Sequence, residues 1–112
     1  MSQITTHILD TSLGRPAAGV QVLLQKENGN GWHTLAEGIT NQDGRISGLL
    51  ASNILLEPGA YSLLFEVAPY FEKNGVVSFY PRVRIDFEIR DQSHYHVPLL
   101  LNPWGYSTYR GS

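Results

Sequence analysis

The sequence contains no cysteine, which excludes disulfide bonds and thiol catalysis. No apolar run approaches the roughly 18 residues that suggest a membrane-spanning helix. The first six residues have neither the basic segment nor the apolar segment of a secretory signal. We therefore expect a cytoplasmic protein that does not enter the membrane, with a periplasmic location after signal cleavage as the alternative.

Charge is also sparse. Charged residues make up 16% of the chain, the formal net charge is -2, and there is no basic stretch. Binding to nucleic acid requires clustered Lys and Arg against the phosphates, so this function is not expected. The apolar share of 42% is ordinary for a folded protein. A chain of 112 residues without linker or repeat is expected to form a single domain over residues 1–112.

Alternation with a period of two residues dominates the chain. Over residues 82–90 the apolar side chains Val83, Ile85, Phe87 and Ile89 alternate with charged ones, which predicts a strand with one buried and one wet face. Residues 61–67 and 20–25 alternate in a similar way. In the first of these segments, Ser62, Leu64 and Glu66 are expected on the wet face, opposite the buried one. Clusters of Gly, Asn, Asp and Pro separate these segments and predict chain reversals.

The only helical candidate is short, at residues 69–74, and Gly75 is a plausible stop. Many short strands with turns between them predict an all-β sandwich or barrel. Two facing sheets would bury the alternating apolar side chains between them.

The first cluster that could support chemistry is near the N-terminus. If residues 4–9 form a strand, Thr5, His7 and Leu9 share one face of it. Imidazole titrates near neutrality, which makes His7 a candidate general base. A hydrogen-bonded histidine on a partly buried face is the simpler interpretation of this segment alone.

The second cluster is a turn at residues 40–45 that Arg45 leaves. The guanidinium carries a planar fork of donors, which suits carbonyl oxygens and the anionic edge of a heterocycle. An ordinary surface arginine after a turn is the alternative.

The third cluster is His94-Tyr95-His96, which puts two histidines on one face of a strand. Pro98 lacks a backbone donor, so we expect this strand to lie at a sheet edge or to be bulged. His7, His94 and His96 could also form a zinc site, but the spacing is weakly specific and no metal is expected.

The final segment is Tyr109-Arg110-Gly111-Ser112. Terminal residues usually fray, but the nearby tyrosines and Trp104 carry large apolar area, so we expect the segment to dock. Gly111 would allow a tight last step without a Cβ clash. Ser112 as a chain end would carry a hydroxyl and a charged carboxylate, for which Arg110 or Arg45 is a candidate partner.

Together these segments resemble the 5-hydroxyisourate hydrolases, the enzymatic relatives of transthyretin. The resemblance covers nearly the whole chain, in the family's order. Its motifs are residues 7–10 (HILD), 14–17 (GRPA), Thr40 with 43–45 (DGR), 79–81 (FYP), 94–100 (HYHVPLL) and 109–112 (YRGS). The last motif is the most specific, because the hormone-binding transthyretins lack it.

The resemblance implies a seven- to eight-stranded antiparallel β-sandwich with one short helix. It also implies a homotetramer, a dimer of dimers, with active sites in a channel between the dimers. The implied catalytic residues are His7, Arg45, His96 and Ser112. Substrate binding would add Tyr109, Arg110 and Gly111.

The implied reaction is hydrolysis of 5-hydroxyisourate to 2-oxo-4-hydroxy-4-carboxy-5-ureidoimidazoline in urate breakdown. We expect His7 or His96 to activate water, Arg45 to stabilise the oxyanion, and Ser112 to form a hydrogen bond. No covalent intermediate and no cofactor are expected. The competing functions are a transthyretin-type hormone carrier, a structural β-sandwich module and a zinc-dependent hydrolase.

Overall fold

The computed structural model describes all residues, 1–112, and consists of eight strands and one helix. In chain order these are β1 (Ile4–Asp10), β2 (Arg15–Pro16), β3 (Gln21–Glu27), β4 (Trp32–Ile39), β5 (Gly59–Glu66), α1 (Ala68–Lys73), β6 (Val83–Ile89), β7 (Tyr95–Asn102) and β8 (Gly105–Thr108). The strands form two four-stranded sheets, ordered β2-β1-β7-β8 and β4-β3-β5-β6. The predicted β-sandwich with one short helix is confirmed.

The space between the sheets is filled by one cluster of 21 buried hydrophobic residues. Strand β6 contributes Val83, Ile85 and Ile89 to this cluster, as its alternation predicts. Strand β1 contributes Ile4 and Ile8. In these two strands the alternation of apolar and polar residues therefore decides which side chains point into the core and which lie on the outer face.

The short helix is confirmed, with bounds one residue earlier than predicted. Pro69 lies in its first turn, where a missing N–H costs nothing. Tyr70 donates a hydrogen bond of 2.7 Å to the buried carboxylate of Asp10, which ties the helix to the end of β1. Desolvation and hydrogen bonds act in opposite directions on Asp10; the hydrogen bonds prevail and lower its pKa. No helix of the chain is long and apolar enough to cross a membrane.

One pair of strands departs from the antiparallel expectation. Strands β1 and β7 run parallel, with Thr5 opposite His96 and His7 opposite Pro98. This pairing is the centre of the first sheet, and it sets two histidine-bearing strands side by side. The face that points away from the core carries Thr5, His7 and His96.

The prediction that Pro98 marks an edge strand or a bulge is wrong. Strand β7 lies between β1 and β8, and its register is regular. The carbonyl of His96 accepts a hydrogen bond from Gly111, on the β8 side. Since Pro98 is two residues further along, its missing donor points to that side too, where β8 has already ended at Thr108. Proline is therefore tolerated without cost to the β1–β7 ladder.

The prediction of a wet face on β5 is also wrong in part. Ser62 is fully buried and Leu64 nearly so, although both lie on the face that opposes the core. The Arg84 side chain covers this outer face, donating to Ser62 Oγ at 3.3 Å, and the Trp32 ring stacks on its guanidinium. Strand β5 is flanked by β3 and β6, so long side chains from its neighbours reach across it.

Candidate functional site

A cleft of about 450 Å³ lies on the outer face of the first sheet. It is lined by Met1, Thr5, Thr6, His7, Arg45, Ile46, His94, His96, Pro98, Tyr109, Gly111 and Ser112. Three segments that are far apart in sequence meet there: the strand pair β1–β7, the turn before Arg45, and the residues after β8. The structure thus brings together six of the seven residues predicted to bind or transform a substrate.

His7 enters the cleft from β1 because the alternation of that strand turns Ile8 inward and His7 outward. Beside it lies Arg45, whose backbone pairs with that of His7 in an isolated antiparallel bridge. Gly44 has no side chain at this contact, and its carbonyl accepts a hydrogen bond of 2.9 Å from the N–H of Ile8. The turn is therefore hydrogen-bonded directly to the strand that carries His7.

Gly44 is required at this position for two reasons. Its φ of +73° is a left-handed conformation that favours glycine, and an added Cβ would lie 2.5 Å from the carbonyl oxygen of Ile8. The turn is closed by Asn41, whose side-chain oxygen accepts the N–H groups of Asp43 and Arg45. These contacts fix the backbone from which the Arg45 side chain extends.

The start of this turn is anchored in the core by Thr40, which is 4% exposed. Its hydroxyl donates to the carbonyl of Ala17 at 2.8 Å and accepts the N–H of Val20 at 2.9 Å. The motif at residues 40–45 is thus a surface turn held by a buried polar anchor. This arrangement fixes the backbone position of Arg45, although its side chain is exposed.

His96 enters the cleft from β7, and its side chain is held on two sides. Its Nδ1 lies 2.7 Å from Thr5 Oγ1. On the other side, the backbone of Gly111 packs against the ring, where an added Cβ would overlap His96 Cδ2 and lie 3.2 Å from Pro98 Cγ. The requirement for glycine at 111 is therefore close packing against His96, and not the tight turn that we predicted.

The segment after β8 docks, as predicted. It continues the register of β8, because Thr108 faces Leu99 and Gly111 faces His96, three residues further along each strand. Gly111 donates a backbone hydrogen bond of 2.8 Å to His96. The reason differs from our expectation, since Tyr109 remains 59% exposed and the docking uses the backbone more than aromatic burial.

Arg110 is the one predicted site residue that the structure does not bring to the cleft. Its guanidinium stacks on the ring of Tyr95 at 4.3 Å from the centroid. It also donates to the carbonyl of His94 at 3.3 Å. Arg110 thus lies on the far side of the segment and holds it against β7.

Two of the three histidines that line the cleft, His7 and His96, have a lowered pKa. For His7, burial is the largest cause and the positive charge of Arg45 the second, while the backbone and carboxylate of Asp43 act in the opposite direction. For His96, burial again comes first, followed by Arg45, His94 and His7. Both imidazoles are therefore neutral at neutral pH, which is the form that can accept a proton.

The cleft thus combines the neutral imidazoles of His7 and His96, the guanidinium of Arg45 and the hydroxyl of Ser112. Such a set can activate a water, stabilise negative charge on a carbonyl oxygen and return a proton to a leaving nitrogen. No group of three or more His, Cys, Asp or Glu side chains is arranged to hold a metal ion. Thr5 also occupies one ring nitrogen each of His94 and His96.

Sequence reasoning did not select Thr5, although it placed Thr5 on the face of His7. Its hydroxyl lies 2.7 Å from His94 Nε2 as well as from His96 Nδ1. The signal that would have found it is the pairing of β1 with β7, which no local pattern contains. Ile46, Met1 and Pro98 complete the lining without polar side chains.

Comparisons with known proteins agree with this geometry. Residues 4–111 match the family model described as "HIUase/Transthyretin family". The 5-hydroxyisourate hydrolase of Salmonella typhimurium is 46% identical over 110 residues, covering 97% of this chain and 80% of that protein.

Two solved structures are similar as well. The 5-hydroxyisourate hydrolase of Klebsiella pneumoniae has 44% identity and a TM-score of 0.85, over 97% of this chain and 92% of that one. Sea bream transthyretin in complex with thyroxine has 26% identity and a TM-score of 0.89, over 98% and 95%. The prediction of a transthyretin-like sandwich is confirmed by these likenesses.

Proposed function

This chain belongs to the HIUase/Transthyretin family, and on that premise we propose that it is a 5-hydroxyisourate hydrolase. The observation that carries the proposal is the convergence of His7, Arg45 and His96 on one cleft. Its similarity to enzymes of this name from Salmonella typhimurium and Klebsiella pneumoniae supports the same activity. The whole chain, residues 1–112, would act as one catalytic domain without a cofactor.

In the proposed mechanism a neutral imidazole removes a proton from water as the water attacks a ring carbonyl. His7 and His96 are both suited to this role, and the second histidine orients the water or protonates the leaving nitrogen. General acid–base assistance of this kind typically contributes about 10²–10⁴-fold. The product is 2-oxo-4-hydroxy-4-carboxy-5-ureidoimidazoline, an intermediate of urate breakdown.

Arg45 would bind the carbonyl edge of the substrate and stabilise the oxyanion that forms on attack. A well-placed donor of this kind contributes on the order of 3 kcal/mol. Tyr109 and Gly111 would form the wall of the cleft, with Ser112 hydrogen-bonding to water or substrate. Arg110 would act from outside the cleft by holding this wall on β7.

The test is direct. Fresh 5-hydroxyisourate is generated from urate with urate oxidase, and its decay is followed with the protein, with His96→Ala, and without protein. We expect the native protein to accelerate the decay and the His96→Ala protein to lose most of that acceleration. A decay equal to the spontaneous rate with the native protein would overturn the assignment.

The role of Ser112 is tested separately. We expect no covalent intermediate, because the hydroxyl forms no hydrogen bond to a side chain that could act as its base. Rapid-quench mass spectrometry of a slowed variant should therefore show only the unmodified chain. An acyl-enzyme trapped on Ser112 would replace attack by water with nucleophilic catalysis.

A hormone carrier is the main alternative, since sea bream transthyretin binds thyroxine in its crystal structure. Only three of the twelve residues that line the cleft are hydrophobic. An apolar ligand would remove water from the Arg45 charge and from the second ring nitrogen of His7 and His96 without replacing its hydrogen bonds, which costs free energy. The polar lining therefore favours the hydrolase.

We also propose that the protein assembles as a homotetramer, a dimer of dimers. The cleft lies on an outer sheet face, and each sheet has two edge strands, β2 and β8 in the first and β4 and β6 in the second. Pairing of edges and facing of sheets would enclose the clefts in a channel. Native mass spectrometry should give four chain masses, and a monomer at micromolar concentration would contradict this. A cytoplasmic location stays a prediction, which cell fractionation tests.

A further inference from the structure

Thr5 is the polar contact in the cleft that the proposed reaction does not yet use. Its Oγ1 lies 2.7 Å from His94 Nε2 and 2.7 Å from His96 Nδ1, so that one hydroxyl joins the two rings. The two rings lie nearly parallel, with centroids 6.3 Å apart. Thr5 is the register partner of His96 across the β1–β7 ladder, so the two backbones hold the contact in place.

The chemistry of a hydroxyl limits what this contact can be. A hydroxyl has a single proton, so Thr5 donates to one ring nitrogen at most, and the nitrogen of the other ring must carry a hydrogen. For His96 to offer an unprotonated Nε2 as a base, its hydrogen must be on Nδ1. Thr5 then accepts from His96 Nδ1 and donates its own proton to His94 Nε2.

We propose that Thr5 is a positioning residue that holds His96 in the Nδ1–H form and links its proton to His94. The inference rests on the proposed hydrolase function for its kinetic readout and for the role of His96 as base, from which the direction of the hydrogen bond follows. It assigns to His94, which the mechanism leaves idle, the role of acceptor for the Thr5 hydroxyl.

The link also provides a balanced path for charge. When His96 Nε2 takes a proton from water, its Nδ1 proton can pass to Thr5 Oγ1 while the Thr5 proton passes to His94 Nε2. His96 is then neutral with a hydrogen on Nε2, and His94 holds the positive charge. When Nε2 gives its hydrogen to the leaving nitrogen, the proton on His94 returns through Thr5 to His96 Nδ1, and both rings end neutral. Other charged or titratable groups that act on His96 are Arg45 and His7.

Three substitutions test the proposal. Thr5→Val removes the hydroxyl at nearly constant volume, and Thr5→Ser keeps it. Thr34→Val is the matched control, because Thr34 is also a strand threonine with a side-chain hydrogen bond, to Gln25 in the second sheet. We expect Thr5→Val to lower kcat/KM by roughly 10- to 100-fold, as for other partners that orient a functional histidine. Thr5→Ser should restore most of it, and Thr34→Val should leave it unchanged.

The pH profile decides the direction of the hydrogen bond. If Thr5 accepts from His96, it stabilises the protonated ring, so Thr5→Val should lower the pKa of His96 further and move the acid limb of kcat/KM to lower pH. A movement to higher pH would mean that Thr5 donates to His96, and it would overturn the proposal. Equal activity and profile in all three variants would do the same.

A measurement without substrate separates this proposal from the hydrolase assignment. Long-range ¹H–¹⁵N NMR of the histidine rings reports the tautomer directly. We expect His96 in the Nδ1–H form in the native protein and in Thr5→Ser, and a mixture in Thr5→Val. In His94→Phe, where the Thr5 proton has lost its acceptor, a mixture is expected too. Nε2–H in the native protein, or an unchanged tautomer in Thr5→Val, would overturn the role of Thr5 even if the enzyme hydrolyses 5-hydroxyisourate. A pure Nδ1–H form in His94→Phe would remove His94 from the link.

Discussion

Two irregular segments supply the walls of the cleft, and they are held in opposite ways. The turn before Arg45 is anchored by the buried Thr40 and by a left-handed Gly44 that bonds to β1. The segment at residues 109–112 is held by one backbone bond to His96 and by Arg110 on the surface of Tyr95. The turn is therefore held by contacts that the fold needs for its stability, whereas the segment at residues 109–112 is held by a few surface contacts. Changes in the turn should affect stability and activity together, and changes in the segment activity alone.

The largest effect is expected for Arg45→Gln, which removes the cleft's cation from its rigid wall. In the proposed mechanism Arg45 donates to the oxyanion, and loss of one such donor costs about 10²–10³ in kcat. The charge of Arg45 also lowers the pKa of His7 and His96, so its loss should raise both values and move the acid limb of kcat/KM to higher pH. Kinetics across pH 4–8 measure both effects.

Arg45→Lys is the control for that experiment. It keeps the charge but not the planar fork, so the activity should fall while the acid limb stays in place. An acid limb that moves equally in both variants would show that the charge of Arg45 does not set the histidine pKa.

The next effect compares two glycines. Gly44→Ala places an alanine at a left-handed φ, where its Cβ would meet the Ile8 carbonyl. The substitution should destabilise the fold by about 1–3 kcal/mol and also lower activity. Gly111→Ala overlaps the His96 ring and should lower kcat/KM at least tenfold with little change in Tm. Thermal melts and kinetics on the two variants give the comparison.

Gly75→Ala separates strain from packing in that experiment. Gly75 has a φ of +71° but nothing within 4 Å of an added Cβ, and it lies after α1, outside the cleft. It should lower Tm without lowering kcat/KM. If Gly111→Ala lowered Tm as much as Gly44→Ala, the contrast between the two walls would be wrong.

The smallest effect is expected for Arg110→Met, which removes the surface contact on Tyr95. Cation–π contacts at exposed sites contribute about 0.5–1 kcal/mol, so KM should rise about two- to fivefold with a small change in kcat. Arg90→Met is the matched control, since Arg90 pairs only with Glu88 on the exposed face. Equal effects of the two substitutions would show that Arg110 does not hold the segment.

The sequence predicts the part of this architecture that is local. The alternation of residues 4–9 and 82–90 assigns the correct faces, and the spacing of residues 94–96 correctly puts His94 and His96 on one face. It cannot show that β1 and β7 are parallel neighbours, because pairing depends on contacts about 90 residues apart. Thr5 was missed, and β7 was placed at an edge, for this same reason.

A second limit on prediction from the sequence is the direction in which a long side chain points. Arg110 lies within a motif whose neighbours line the cleft, yet its guanidinium stacks on Tyr95 outside it. Alternation along an extended segment would have separated Arg110 from Tyr109 and Gly111, had the segment been taken as a continuation of a strand. The requirement for Gly111 likewise depends on the position of the His96 ring, which is not a local property.

Pro98 has one more consequence, for exchange of amide hydrogens with solvent. No backbone bond joins Pro98 to Tyr109, so between Thr108 and the chain's last residue a single amide, that of Gly111, is bonded to β7. Local opening at this point breaks one bond and exposes no core. The Gly111 amide should therefore exchange far faster than the amides of Leu99 and Leu101 under native conditions. Its protection factor would then measure how often the cleft is complete, and binding of a ligand there should slow it selectively.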